Sequence, residues 1–289
     1  MKRRFMSFLM TTVLTFSMIG CGGSKGFGAT EEISIITRED GSGTRGAFIE
    51  LFGIEKKNEE GNKIDHTTDA ASITNSTSVM MTTVESDLHA IGYVSLGSLN
   101  DTVKAVKIDG VEASVENIKN GSYTIYRPFN IATKSDVSEV TKDFITYILS
   151  ADGQAVIEKN GYITVAGNGA FSTNKPSGKV TITGSSSVSP VMMKLKEAYL
   201  VINPNAEIEI ITSDSSTGMS NTIEGICDIG MASRAVKDSE KEKGLTEITI
   251  ANDGVAVIVN NENPVDNMTK EQVESIYTGK FTTWSDIVE

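Results

Sequence analysis

Three segments of this chain place hydroxyls and glycine at the expected start of a helix. They are Arg38-Glu39-Asp40-Gly41-Ser42-Gly43-Thr44-Arg45-Gly46, Gly184-Ser185-Ser186-Ser187-Val188-Ser189-Pro190 and Thr212-Ser213-Asp214-Ser215-Ser216-Thr217-Gly218. The first four N–H groups of a helix have no partner within it, and the helix dipole adds positive potential there, so an oxyanion satisfies both. Gly41 and Gly43 let the backbone approach a ligand closely or take a positive φ. In Arg38-x-Asp40 the guanidinium offers a fork of donors to a tetrahedral oxyanion, with Asp40 expected to hold it from behind. Singly, such clusters are mostly turns and caps. Here all three follow strand-like runs, which is where open α/β sheets bind ligands.

Other chemistries find less support. Gly41-Ser42-Gly43 is not the Gly-x-Ser-x-Gly elbow of a hydrolase. His66 and His89 are the only histidines, and neither stands near a Ser, Cys or acidic cluster at triad or metal-ligand spacing, so neither a metal nor a cofactor is expected. A secreted phosphatase using Ser42 as nucleophile is therefore the weaker reading. Cys21 and Cys227 are the only cysteines.

The first residues read Met-Lys-Arg-Arg, followed by an apolar run from Phe5 to Ile19 and then Gly20-Cys21-Gly22-Gly23-Ser24. This is the pattern of a lipoprotein signal: residues 1–20 are expected to be cleaved, Cys21 to be lipidated, and residues 21–30 to form a tether outside the membrane. With Cys21 acylated no intrachain disulfide is available, and Cys227 reads as a small core residue. The net charge of −12 becomes −15 once Lys2, Arg3 and Arg4 leave with the leader. That excludes a nucleic-acid partner and leaves any anion site dependent on local donors.

The elements that must position the three loops alternate. Strand-like runs at Ile33 to Thr37, Ile91 to Ser95, Lys179 to Gly184, Glu207 to Ile211, Glu247 to Ala251 and Val255 to Asn260 are interspersed with helix-like runs. The latter are Thr44 to Phe52, Val137 to Leu149, Pro190 to Val201, Gly218 to Gly225 and Lys270 to Tyr277. Alternation of this kind predicts an α/β fold with a largely parallel sheet. Ser76-Thr77, Ser189 before Pro190, and Thr269 before Lys270 are expected helix caps. The Gly/Asn/Ser/Pro-rich stretch 167–178 reads as a surface linker between two halves.

At these residues the chain resembles the phosphate-binding subunit of the high-affinity phosphate ABC transporter. The resemblance rests on Ile36 to Phe48, Ile91 to Gly97, Val103 to Val111, Ser114 to Phe129, Ile182 to Pro190, Asp228 to Arg234 and Thr269 to Ile287. It implies a two-lobed periplasmic-binding-protein-like (type II) α/β fold. One lobe would be 31–127 plus 254–289, the other 128–253, with a hinge of two crossover segments near Tyr126 to Ile131 and Gly254 to Val259. The order of segments is swapped relative to the usual member, which implies a circular permutation joined through 167–178.

The resemblance further implies inorganic phosphate as ligand, bound by Arg38, Ser42, Gly43 and Thr44 from one lobe and by Ser187, Val188, Ser189 and Ser215 from the other. Asp40 matches the arginine's acidic partner. ABC transporter permease subunits and a lipid-anchored place on the extracytoplasmic membrane face complete the implied setting. Two departures stand out: Val188 replaces a hydroxyl residue, and Arg234 stands where some relatives carry a buried Asp that accepts the proton of hydrogen phosphate. Asp40, Asp214 or a backbone carbonyl are the candidate replacements for that acceptor. Arg234 itself could face the ligand, bridge the lobes or be solvated. Sulfate, molybdate or another tetrahedral oxyanion remains the alternative cargo, and a surface adhesin or sensor the alternative role.

Overall fold

The computed structural model describes residues 26–287. The expected leader, Cys21 and the start of the tether lie outside them. The sheet is built, in chain order, from β1 (Ser34–Arg38), β2 (Ser72–Thr74), β3 (Ala90–Ser95), β4 (Tyr126–Thr133), β5 (Gly178–Ser185), β6 (Ala206–Ser213), β7 (Ile229–Ala232) and β8 (Thr246–Val259). Hydrogen bonding places them in the order β6-β5-β7-β4-β8-β3-β1-β2, with short strands Lys104–Ala105 and Ile163–Thr164 added along β8. The helices of eight or more residues are α1 (Gly43–Leu51), α2 (Thr77–Ser86), α3 (Glu139–Leu149), α4 (Ala151–Lys159), α5 (Ser189–Ile202), α6 (Ser215–Glu224) and α7 (Lys270–Tyr277).

The α/β class is as expected, but the sheet is mixed. β1 runs parallel to β2 and β3, and β5 parallel to β6 and β7. At the join, β8 is antiparallel to both β3 and β4, and β4 is antiparallel to β7. The cause is connectivity: β4 carries the chain from the first half to the second, β8 carries it back, and strands crossing in opposite directions pair antiparallel.

β8 also corrects the sequence reading in length. Asn252-Asp253-Gly254 has turn composition, so two strands were expected, yet Thr246–Val259 is one strand with a register shift between Thr249 and Ala251. A Cβ on Gly254 would lie 2.9 Å from Ile118 and 3.1 Å from Leu96, so this glycine serves close packing and not a turn. Val255 to Val259 are wholly buried, as suits a central strand covered on both faces.

Apolar side chains collect into two main cores. One draws on residues from Ile33 to Ile125 and from Val255 to Trp284, together with Ile163, and the other on further residues from Phe129 to Ala251. In the first, Phe48 of α1 stacks on Tyr93 of β3 at 3.9 Å and meets Tyr277 of α7 edge-on at 4.7 Å. That packing sets α1 against the sheet behind the first loop. α7 starts on Thr269, whose hydroxyl accepts from the Gln272 amide in a capping box. α2 starts on Ser76, whose hydroxyl accepts from Val79. α5 departs from expectation: it begins at Ser189 itself, with Val188 before it giving no side-chain cap.

The 167–178 stretch is stitched to the second half. Asn168 donates its amide to the Leu149 carbonyl, Phe171 donates to Asp152, and Thr173 donates to Asp143. Near the other end of the fold, Ile33 donates to the Thr282 carbonyl and Ser285 to that of Ala29, so the first and last described segments run side by side. No helix among the described residues is long and apolar enough to cross a membrane.

Candidate functional site

Arg38 ends β1 and is 2% exposed. Its backbone amide donates to the Tyr93 hydroxyl at 3.0 Å, which fixes the strand end. The guanidinium lies flat against its neighbour Glu39, Nε and Nη2 each donating to a carboxylate oxygen at 2.7 Å. From that anchored position Nη2 also reaches Ser186 Oγ in the other half at 3.1 Å, and Nη1 reaches Thr77 Oγ1 at 3.5 Å.

This corrects the role expected of Asp40. Ser42 donates its amide to the Glu39 carbonyl, and the resulting turn swings Asp40 outward. Its carboxylate is 96% exposed and meets Arg45, not Arg38. Glu39 takes the supporting place.

Ser42 caps α1, its hydroxyl accepting from the Arg45 amide at 3.2 Å. Gly43 and Thr44 thus open a helix whose first N–H groups lack intrahelical acceptors. A Cβ on Gly43 would lie 2.5 Å from Ser215 Oγ and 2.8 Å from Ser233 Oγ, so glycine is what allows the two halves to approach here. Thr44 Oγ1 is the hub: it shares hydrogen bonds with Ser187 Oγ at 2.8 Å and Ser233 Oγ at 3.2 Å, and accepts from Arg127 Nη2 at 3.0 Å.

The second half answers with serines. Ser186 accepts from Arg38 and from the Thr77 amide, and Ser187 shares a hydrogen bond with Thr77 at 3.1 Å. Ser215 Oγ accepts from the Ser233 amide at 3.1 Å, and Ser185 donates to Ser233 at 3.1 Å. Two expected members turn away. Val188 buries its side chain in the second core and donates its amide to the Ser185 carbonyl. Ser189 donates to that same carbonyl and accepts from Thr212 at 2.9 Å, so its hydroxyl serves the strand ends of its own half. The tight turn after β5 thus aims Ser186 and Ser187 at the seam and the next two side chains, Val188 and Ser189, away from it.

Behind Thr44, Arg127 of β4 and Asp253 of β8 form a buried ion pair at 2.6 Å. Burial pushes the Asp253 carboxyl above its ordinary value, against the pull of Arg127 and the Gly97 amide. Burial likewise lowers the Arg127 guanidinium, with Asp253 opposing. Arg234 takes none of its expected places, since it pairs with Glu240 in its own half at 2.7 Å. Of the proposed proton acceptors, Asp214 caps α6 by accepting from Thr217. A cleft of about 1120 Å³ opens beside this seam, bounded by Asp40, Ser42, Arg45 and Arg127 on one side and Ser216 and Arg234 on the other.

The structure therefore brings together Arg38, Ser42, Gly43, Thr44, Ser187 and Ser215. It adds Glu39, Thr77, Arg127, Ser186 and Ser233, which sequence reasoning missed. From sequence Ser76-Thr77 reads only as a cap, and Ser233 lies next to Arg234 in the Asp228 to Arg234 segment. Arg127 carries a signal of its own: an arginine inside an otherwise strand-forming crossover, matched by Asp253 immediately before the other. No group of three or more His, Cys, Asp or Glu among the described residues is placed to hold a metal. What the seam offers is hydroxyls, helix-start amides and two fixed guanidiniums, an arrangement suited to holding an anion.

A family model described as a PBP superfamily domain matches residues 23–152 and 169–288. Phosphate-binding protein PstS 2 of Streptococcus agalactiae is 57% identical over 271 residues, covering 93% of this chain and 92% of that protein. A crystal structure of a phosphate ABC transporter phosphate-binding protein from Streptococcus pneumoniae is 43% identical, covers 89% of this chain and all of that one, and superposes with a TM-score of 0.69. Phosphate-binding protein PstS of Staphylococcus saprophyticus is 40% identical over only 128 residues, 42% of this chain and 40% of its own.

Proposed function

The chain belongs to the PBP superfamily and, within it, to the family of the streptococcal phosphate-binding proteins, and from that premise we propose that it captures inorganic phosphate between its two halves for delivery to an ABC transporter permease. The observation that carries the reading is the seam itself: Arg38 bonded to Ser186 and Thr44 bonded to Ser187, each pair spanning the halves. A tetrahedral anion inserted among these groups satisfies both sides at once, so it favours the closed arrangement by contacts available only there.

In this reading the lobes are 31–127 plus 254–289 and 128–253, and the hinge is the pair of crossing strands. Arg38, Ser42, Gly43 and Thr44 bind from one lobe, Ser187 and Ser215 from the other, with Glu39 orienting the arginine. Lipidation at Cys21 holds the protein on the extracytoplasmic face of the cell membrane. The swapped segment order is a circular permutation shared with the streptococcal relatives. Alignment across nearly their whole length supports this, as does the partial alignment with the staphylococcal protein. The closeness of the first and last described segments supports it further, because permutation needs ends that meet at the surface.

One observation favours a second cargo. Both Glu39 oxygens are held by Arg38, Asp40 faces solvent and Asp214 caps a helix. With these carboxylates engaged elsewhere, a phosphate proton is accepted by serine or threonine oxygens, which accept as well as donate. Discrimination against sulfate or molybdate is then weaker than a buried carboxylate would give. Calorimetric titration of the chain lacking residues 1–21, stripped of anion by unfolding and refolding, tests both. Saturable one-to-one phosphate binding stronger than sulfate supports phosphate. Equal or stronger sulfate binding transfers the site to another oxyanion, and no heat with phosphate overturns the proposal.

A further inference from the structure

We propose that Arg127, on the crossing strand β4, is a second anion-contacting guanidinium of this site, positioned by Asp253 so that ligand binding acts directly on the hinge. The inference rests on the phosphate reading and adds a residue outside the set that the family resemblance supplied.

Arg127 is 3% exposed, so the cost of burying its charge must be met by specific partners. Some are visible. Nη1 donates to Asp253 Oδ2 at 2.6 Å and to the Gly254 carbonyl at 2.8 Å. Nη2 donates to Thr44 Oγ1 at 3.0 Å, the hydroxyl that also meets Ser187 and Ser233. The inventory is incomplete, however. A guanidinium carries five N–H donors, and Nε–H of Arg127 is buried without an acceptor. Nη2 has one acceptor for two hydrogens. A purely structural arginine would be expected to satisfy these groups, because an unpaired buried donor costs about 1 to 3 kcal/mol.

The placement of its charge points the same way. Arg38 reaches the seam from β1 and Arg127 from β4, and Arg127 feels the charge of Arg38 as a repulsion. Two like charges directed at one group of hydroxyls leave an electropositive spot that a dianion between them relieves. Each guanidinium is oriented by its own carboxylate, Glu39 for Arg38 and Asp253 for Arg127. Asp253 is itself fixed by the Gly97 amide at 3.1 Å.

Arg127 and Asp253 face each other across β4 and β8. A ligand drawing on Arg127 therefore pulls on the two strands that join the halves, whereas Arg38 is carried on β1, which does not cross between them.

The test pairs Arg127→Met with Asp253→Asn, so that neither charge is left buried alone. Phosphate affinity is measured by calorimetry beside cooperative thermal melting, with the wild-type chain in parallel. A folded double variant that binds phosphate at least tenfold more weakly, with a smaller phosphate-induced rise in melting temperature, is the expected result. A folded double variant with wild-type affinity overturns the inference. Arg127→Lys keeps a cation for Asp253 and loses the fork, so it provides the same test should the double variant not fold. Affinity at least tenfold weaker in folded protein is expected there, and unchanged affinity overturns the inference. Failure of the wild-type chain to bind phosphate would instead overturn the functional reading on which it rests.

Discussion

The two sides of the seam are made of different chemistry. The first half brings fixed charge and rigid support: Arg38 clamped by Glu39, its strand end tied to Tyr93, and Thr44 at the head of a helix packed through Phe48. The second half brings Ser186, Ser187, Ser215 and Ser233, short side chains with neither charge nor length. A guanidinium attracts any anion of suitable geometry, whereas a hydroxyl chooses between donating and accepting once the ligand is present. On the proposed reading capture and selection are divided: the first half's guanidinium sets the sign of the ligand, and the second half's hydroxyls read its protons as the cleft closes.

Changes on the charged side should have the largest effects. Arg38→Ala removes charge-assisted hydrogen bonds worth roughly 1.5 to 3 kcal/mol, so phosphate affinity by calorimetry should fall at least tenfold. Gly43→Ala places a methyl against Ser215 and Ser233. It should weaken phosphate about tenfold by opposing closure while the melting temperature without ligand stays near that of wild type. Thr44→Val removes the hub hydroxyl, and at about 1 kcal/mol per neutral hydrogen bond a severalfold loss is expected. Smallest is the contrast between neighbours: Glu39→Gln should lower affinity measurably, whereas Asp40→Asn should leave it unchanged. The opposite order would restore the pairing that the bare sequence implies.

At the rim of the cleft, the Arg234–Glu240 pair sharpens the comparison, since this arginine is held by a carboxylate of its own half. Burial works to raise the Glu240 carboxyl, but hydrogen bonds from Arg234 and Lys237 outweigh it and hold the group below its ordinary value. The folded state therefore binds this proton less readily than the unfolded chain does. Its stabilisation is fully present above the ordinary glutamate range and is lost as pH falls through the lowered value. Melting temperatures of wild type and Glu240→Gln should differ at neutral pH and converge in acid. A difference that grows toward acid would contradict the assignment.

What could be read in the sequence divides along physical lines. Capping chemistry is local, so the three loops and the starts at Ser76 and Thr269 follow from the residue types within one turn. The α/β class follows from alternating periodicities. The direction of a side chain in a tight turn is not local in the same way: Asp40 and Glu39 are adjacent, and only the turn closed on the Glu39 carbonyl decides which meets Arg38. Val188 and Ser189 fail for the same reason. Thr77, Arg127 and Ser233 join through contacts between residues far apart in sequence, set by which strands become neighbours. The Asn252-Asp253-Gly254 run misleads because a buried ion pair and a close-packed glycine imitate the composition of a turn.

The central claim, that phosphate closes the two halves on each other, is tested most directly by a distance across the cleft. Asp69 and Lys237 are exposed residues bounding it from opposite halves, and spin labels on cysteines at these positions report their separation by electron resonance. The chain stripped of anion should give a broader and longer distance distribution, and saturating phosphate a single shorter and narrower one. A distribution unchanged by phosphate would contradict the account.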